Sequence, residues 1–389
     1  MKVNDLKKYL FISNSSKPTI DELMSRNKVN LDSISIPCIE AVIPMEYEVY
    51  MGINLFHAED LTCDYNIKFY YSSIYRSLFD LRSNYIAYKN LMKILKKENI
   101  DVIHCNSPIG GVIGRICGKK TKVSKIIYTA HGFHFYKGAP LINNTLFKLA
   151  EIWMAHYTDV IITINKEDYQ AAQKFKLRNN GKVYYVPGVG VDIAAIDEAE
   201  SIRDEVLNLI GGESDSFLII SVGDLNKNKN NEVIIKALKK LQNPKIHYIL
   251  CGTGEKKDYL ISLARKYNLE KTIHFLGFRT DVPQLLKSSD IFAMPSYREG
   301  LSRSIIEAMA AGLPCIVSDI RGNVDLIDNG EGGFLVAPDD VDKYAEMISI
   351  LYENKPLRIK MSNYNLKSVK KYDVNNIKIF IKNIFSGEL

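Results

Sequence analysis

No C-x-x-C pair occurs among the six cysteines, Cys38, Cys63, Cys105, Cys117, Cys251 and Cys315. Their spacing suggests neither a zinc site nor a disulfide framework, and a reducing cytoplasm is the expected home. No apolar run reaches the roughly eighteen residues of an ordinary membrane-spanning helix, which leaves attachment to the inner face of a membrane open. Secretion is not expected, because Met1 to Lys8 is polar and the apolar stretch Tyr9 to Ile12 is too short for a signal sequence. There is no repeat period and no low-complexity tract, which excludes solenoids and disordered tails.

The chain has 389 residues, 46% hydrophobic and 25% charged. That is long enough to exceed one hydrophobic core, and two domains are expected. Net charge is +6, with 25 Lys+Arg against 17 Asp+Glu in residues 1–190 and 26 against 28 in the remainder. An N-terminal excess of base suits an anionic partner such as a phospholipid surface or a diphosphate-bearing substrate, and ordinary solubility explains it equally. Nucleic acid is not favoured, since no recognition motif accompanies the basic residues.

Short apolar runs alternate with helical patterns, the mark of parallel strands joined by crossover helices. Strands are expected over 9–13, 47–53, 101–105, 125–132, 159–164 and 183–190, with a helix from Tyr85 to Glu98. After Asp192 an acidic segment with a Gly211-Gly212 break precedes a second series at 217–223, 246–252, 272–278, 290–296, 314–319 and 333–338. The class is therefore α/β, with domains expected over 1–192 and 193–370 and a C-terminal helix over 371–389 that could dock on either, including back on the first. Most strands end in Gly, Pro, Ser or Asp, marking loops at the carboxyl edge where open α/β sheets bind ligands.

In YREGLSRSIIEAMAAGLP a strand end leads through a loop into a helix from about Ser302 to Ala311, stopped by Gly312 and Pro314. Gly300, Leu301 and Ser302 would present backbone N–H groups at that helix start, a natural anion site. Glu299 lies in the loop and Glu307 about two turns along the helix. Carboxylates flanking an anion site suit a ligand with both a diphosphate and sugar hydroxyls. A capped helix with two solvated acids is the plain alternative.

Here the sequence resembles the retaining glycosyltransferases of family 4, whose E-x7-E motif is matched by Glu299 and Glu307. HYILCGTGEKKDYL, IHFLGFRTDVPQLLKSSDIFAMPSYREGL and IRGNVDLI resemble that family's C-terminal domain in order, and YTAHGFHFYKGAP resembles its capsule and exopolysaccharide branch. The resemblance implies a GT-B fold, two Rossmann-like domains facing each other across a deep cleft, and transfer of a sugar with retention from a nucleotide diphosphate sugar, commonly UDP-linked. The expected acceptor is a saccharide or a polyprenyl-diphosphate-linked one. It also implies that His131, Lys229 and Glu299 serve catalysis, Lys229 by neutralising the departing diphosphate and Glu299 by contacting donor hydroxyls. Glu307 would hold the ribose, and Gly300, Leu301, Ser302, Arg303, Gly252, Phe278 and Arg279 would help bind the nucleotide sugar.

Asp224 stands where the family often has an arginine, so another cation, Arg303, Lys227 or Arg321, would have to supply the second charge, or Asp224 would orient Lys229. His134 follows His131 closely, and no further ligands at metal spacing accompany the two. Asp340-Val341-Asp342 spells D-x-D but reads better as a helix cap, so neither a metal nor a cofactor is expected. The loop SNSSKPT (13–19) lacks the usual glycine-rich turn, and Gly110-Gly111 reads as a plain strand-to-helix turn. Leu141 to Tyr157, with the only tryptophan, suits either a membrane surface or a buried core helix. A nucleotide-sugar epimerase on the same scaffold and a catalytically silent nucleotide-sugar-binding subunit are the rival readings.

Overall fold

Runs rich in Val, Ile, Phe and Tyr, too short for helices and apolar on both faces, must be covered on both sides. Parallel sheets flanked by helices achieve this. The computed structural model describes residues 6–13, 28–32, 34–55, 58–75 and 80–388. The loop at 14–19 lies outside the described residues.

The chain forms two compact units, Met1–Val189 with Asn376–Leu389, and Gly190–Asn375. In the first, β1 (Lys8–Ile12), β2 (Glu48–Ile53), β3 (Ile67–Tyr71), β4 (Val102–Cys105), β5 (Lys125–Ala130), β6 (Val160–Thr163) and β7 (Lys182–Tyr185) make a parallel sheet. Its order is β3-β2-β1-β4-β5-β6-β7. In the second, β8 (Phe217–Val222), β9 (Ile246–Cys251), β10 (Ile273–Gly277), β11 (Ile291–Met294), β12 (Cys315–Ser318) and β13 (Gly333–Val336) run in the order β10-β9-β8-β11-β12-β13. In each sheet the order reverses once, between β1 and β4 and between β8 and β11. The carboxyl ends of those strands open the crevice where such sheets take ligands.

Every strand expected from the sequence is present, and one, β3, was not expected. It is an edge strand, IKFYY, whose Lys68 faces water and pairs with Glu48. A charge inside a short run hides an edge strand from an apolar-run reading, and such charges also guard edges against stray pairing.

The chain enters and leaves the second unit side by side. Val191 pairs with Asp373, and a Cβ on Gly190, at φ +85°, would sit 2.8 Å from Val374 Cα. The units thus part at Val189 and Asn376, where 192 and 370 were expected.

The last helix, Val374–Ser386, buries Ile377, Ile381, Ile384 and Phe385 in the first unit's core with Tyr9, Phe11, Ile127 and Ile162. The Phe385 ring meets Tyr9 edge-on at 5.5 Å. The segment Leu141 to Tyr157 is not a core helix. A π-type turn, Asn143–Phe147, runs into the helix Lys148–Ala155, and Leu141, Ile142, Leu146, Leu149 and Trp153 are 57–84% exposed.

Because Ile381 is 5% exposed and packed on all sides, Ile381→Ala is expected to cost about 2–5 kcal/mol through lost burial and the cavity left behind. Urea unfolding of the full chain checks this, and an unchanged midpoint would mean that the helix contributes little to the first core.

Candidate functional site

Two loops at the second unit's switch point carry its charged groups. After β8 the chain turns through Gly223, at φ +144°, and runs GDLNKNKNN into the helix Glu232–Leu241. After β11 it runs PSYREGLS into the helix Arg303–Ala310. The loops are tied together: Tyr297 N–H donates to the Asn228 carbonyl at 2.8 Å, and Asn228 Nδ2 donates to the Arg298 carbonyl at 2.9 Å.

On that scaffold Lys229 Nζ donates to Glu299 Oε1 at 2.8 Å and lies 3.7 Å from Met294 Sδ. Both side chains are largely buried, 19% and 13% exposed. One turn into the helix, Arg303 Nε donates to Glu307 Oε1 at 2.8 Å. Burial pushes the Glu307 carboxyl above its ordinary pKa, and Arg303 opposes that. The structure therefore joins Lys229, Glu299, Gly300 to Arg303 and Glu307 around one helix terminus.

The Ser302 side chain does not cap this helix. Its hydroxyl turns to Met294 Sδ at 3.6 Å and Ser304 Oγ at 3.2 Å. The amides at the helix start are left for a ligand, with the positive end of the helix dipole behind them. Gly322 presses on the same loop: at φ +83°, a Cβ there would sit 2.2 Å from the Gly300 carbonyl oxygen. Only glycine allows that approach.

Gly252 plays the matching part after β9, where a Cβ would lie 1.9 Å from the Gly223 carbonyl oxygen. Its own N–H donates to the Gly277 carbonyl at 2.7 Å, so it holds the loops in place. Phe278 just beyond β10 is 79% exposed. Beside it Arg279 Nε donates to Asp281 Oδ1 at 2.8 Å.

The groups around the second charge position differ in exposure and pairing. Asp224 is exposed at the loop entrance. Arg303 is engaged with Glu307. Arg321 is 8% exposed. Lys227 is exposed and lines a polar hollow with Lys256, Tyr259 and Tyr297. Asp340 of the D-x-D caps the helix Val341–Glu353, accepting from Lys343 N–H at 2.9 Å, and Asp342 pairs with Lys240.

The first unit carries its own polar cluster at its strand ends. His131 follows β5, and its Nε2 lies 2.9 Å from Oδ1 of Asn106, which follows β4. A neutral imidazole donates at one ring nitrogen and accepts at the other, and the Asn106 amide can take either role toward it. Beneath them His104 bridges the Tyr9 hydroxyl at 2.6 Å and Thr129 Oγ1 at 2.7 Å. Burial lowers the His131 pKa to about 4 and that of His104 to about 3.

Asn106 was not anticipated. Its signal was its position directly after a fully buried parallel strand, next in the sheet to the strand that ends at His131. The His134 ring is tilted against Phe147, with ring centroids 5.4 Å apart. At Gly110-Gly111, Ser107 Oγ accepts from Gly110 N–H at 3.2 Å, and a Cβ on Gly111 would meet the Tyr128 ring at 2.7 Å. That turn is fixed by capping and packing.

Comparison with known proteins identifies the family and the fold. The model "Glycosyl transferases group 1" matches residues 207–368, and "Glycosyl transferase 4-like" matches residues 38–165. The Bacillus subtilis (strain 168) protein named "Putative glycosyltransferase EpsD" is 34% identical over 304 residues, 77% of this chain and 79% of that protein. The Escherichia coli UDP-Gal:alpha-D-GlcNAc-diphosphoundecaprenol alpha-1,3-galactosyltransferase is 32% identical over 290 residues, 73% of this chain and 75% of that one.

Among solved structures, Anabaena HepE in complex with UDP and glucose superposes with a TM-score of 0.74 at 20% identity, covering 98% of this chain and all of that one. Sucrose-phosphate synthase from Thermosynechococcus elongatus gives 0.80 at 17% identity, covering 98% of this chain and 99% of that one. The fold is GT-B. The chain belongs to the family 4 glycosyltransferases.

Gly322→Ala is expected to destabilise the second unit by more than about 1 kcal/mol, because both the backbone angle and the Gly300 carbonyl oppose a methyl group. It should also displace the Glu299 loop. Unaltered stability and nucleotide affinity would show that the loop accommodates the methyl group freely.

The histidines make stability depend on pH. Between pH 6.5, the ordinary value, and about 4, the unfolded chain takes up a proton at His131 that the folded chain refuses. Stability is therefore complete above that window and falls as pH drops through it, by up to about 1.4 kcal/mol per unit for each such histidine. His131→Asn should flatten the pH dependence of the urea midpoint, and an identical slope in the variant would contradict a neutral His131.

Proposed function

We propose that this enzyme is a retaining, metal-independent hexosyltransferase that moves a sugar from a UDP-sugar to a polyprenyl-diphosphate-linked saccharide in cell-surface polysaccharide assembly, working at the cytoplasmic face of the membrane. The observation that carries the reading is the Lys229–Glu299 pair beside the uncapped start of Arg303–Ala310. Support for the donor and acceptor classes comes from the Escherichia coli relative, named for UDP-Gal and a diphosphoundecaprenol acceptor, and from HepE, solved with UDP and glucose.

In this reading the diphosphate lies on the amides at Gly300 to Ser302. Lys229 exchanges Glu299 for phosphate oxygen, and the freed Glu299 accepts from donor hydroxyls. Glu307, held by Arg303, takes the ribose, and exposed Phe278 with Arg279 and Gly252 frames the nucleotide. The bond from the anomeric carbon to the diphosphate oxygen breaks as the acceptor hydroxyl attacks the same face, and the hydroxyl proton passes to the departing diphosphate. His131, neutral near pH 7, serves the transferred sugar through a hydrogen bond. Capture of a glycosyl adduct on Glu299 by mass spectrometry would replace this course with a two-step one.

Thermal-shift screening against UDP, GDP, ADP and their sugars tests the donor assignment. A ligand at a hundredfold excess over its Kd should add about 2.7 kcal/mol, with UDP forms expected to act, and no response to any nucleotide would sink the reading. Glu307→Ala should weaken binding of free UDP. Glu299→Ala should spare it while depressing transfer, and Lys229→Ala should lower kcat by about 10²–10³. Equal behaviour of the two glutamate variants would contradict the division of labour.

A further inference from the structure

The segment from Ile142 to Trp153 is built the wrong way round for a helix facing water. Ile142, Leu146, Leu149 and Trp153, spaced by four, three and four residues, share one helical face and are 57–63% exposed. The groups turned inward include the polar ones. Asn143 Nδ2 donates to the His134 carbonyl at 2.7 Å, and Asn144 Nδ2 to the Ala139 carbonyl at 3.0 Å. Glu151 Oε2 accepts from fully buried Arg115 Nη1 at 2.8 Å. A surface helix ordinarily turns its apolar stripe to the core, so this stripe lacks a partner.

Its surroundings state the partner's charge. Trp153 meets Tyr157 edge-on at 5.4 Å, and Lys119 Nζ lies 5.9 Å over the Tyr157 ring. Lys120 Nζ donates to the Tyr88 hydroxyl at 3.0 Å on the neighbouring helix Leu81–Glu98. On that helix Lys89 sits 4.8 Å over the ring of Tyr85, itself 59% exposed. From Leu81 to Trp153 the chain has 12 Lys+Arg, one of them the buried Arg115 that pairs with Glu151, and three acids, Glu98, Asp101 and Glu151. That local excess of nine exceeds the net charge of the whole chain, +6.

We infer that this face is a docking surface for an anionic lipid bilayer: the stripe from Ile142 to Trp153 enters the headgroup boundary while the lysines beside Tyr88 and Tyr157 meet lipid phosphates. Apolar residues with aromatic and lysine neighbours are the pattern that binds a membrane interface without spanning it. A second copy is the weaker occupant, because a two-fold contact would bring two lysine-rich faces together. The inference draws its purpose from the lipid-linked acceptor proposed above, but not its evidence.

Trp153 is the only tryptophan, so the full chain reports its own docking. Adding vesicles of equimolar phosphatidylcholine and phosphatidylglycerol should shift its emission to the blue and carry the protein down on centrifugation. Vesicles of phosphatidylcholine alone should do much less, and high salt should reverse the effect. Lys119→Glu with Lys120→Glu should weaken partitioning at least about tenfold. Leu146→Ser with Leu149→Ser should reduce the blue shift while keeping the probe.

No response to anionic vesicles would overturn the inference. So would an emission shift that tracks protein concentration and dimer formation without lipid. Transfer to a soluble, short-chain acceptor should persist in both double variants. Its loss in the unmodified protein would count against the transferase reading, not against the surface.

Discussion

The second unit is organised around one constraint: two opposite charges must meet at the carboxyl ends of strands whose loops diverge. Lys229 and Glu299 do so at 2.8 Å with little exposure. Such a pair is a poor source of stability, since taking two charges out of water costs about as much as their attraction returns. Its cost is offset by the surrounding framework. Asn228 ties the two loops, Gly223 and Gly252 interlock, and Gly322 bears on Gly300. A lysine held on a carboxylate beside free helix amides is poised to exchange that carboxylate for another anion, with little rearrangement of backbone.

The first unit solves a different problem with the same topology. Its strand ends hold neutral imidazoles, because Asn106, Thr129 and Tyr9 offer uncharged partners and burial opposes protonation. A neutral ring can donate and accept at once, which suits hydroxyl-bearing ligands better than diphosphate. The charged pairs thus gather at the second unit's switch point, while the His131 cluster is held by neutral hydrogen bonds with Asp32 as its nearby charge.

Much of this could be read from residue order. The strands flanking the second switch point are buried on both faces, so β8, β9, β11 and β12 stood out as largely apolar runs. The helix Arg303–Ala310 was marked at its end by Gly312 and Pro314, and the E-x7-E spacing pointed to its start. What escaped was information that pairing creates. β3 carries Lys68 in mid-strand because only one of its edges is paired. Asn106 gains its meaning from β5, which places His131 beside it. The Gly322–Gly300 approach joins residues that no local pattern connects. The partner of Glu299 is likewise set by folding, because Lys229 lies 70 residues away, whereas Glu307 pairs with Arg303 one turn earlier on its own helix.

Leu141 to Tyr157 shows why composition alone stayed ambiguous. An apolar stripe at helical spacing is the same string whether it faces a core or a lipid, and periodicity cannot give its direction. Direction was decided by the polar members of the segment: the carboxylate of Glu151 had to find fully buried Arg115, and the amides of Asn143 and Asn144 had to satisfy backbone carbonyls. Burying those groups unpaired would cost more than exposing four apolar side chains. The direction of the stripe is thus fixed by hydrogen bonds on its opposite face, and the exposure of Trp153 follows from the pairing of Glu151.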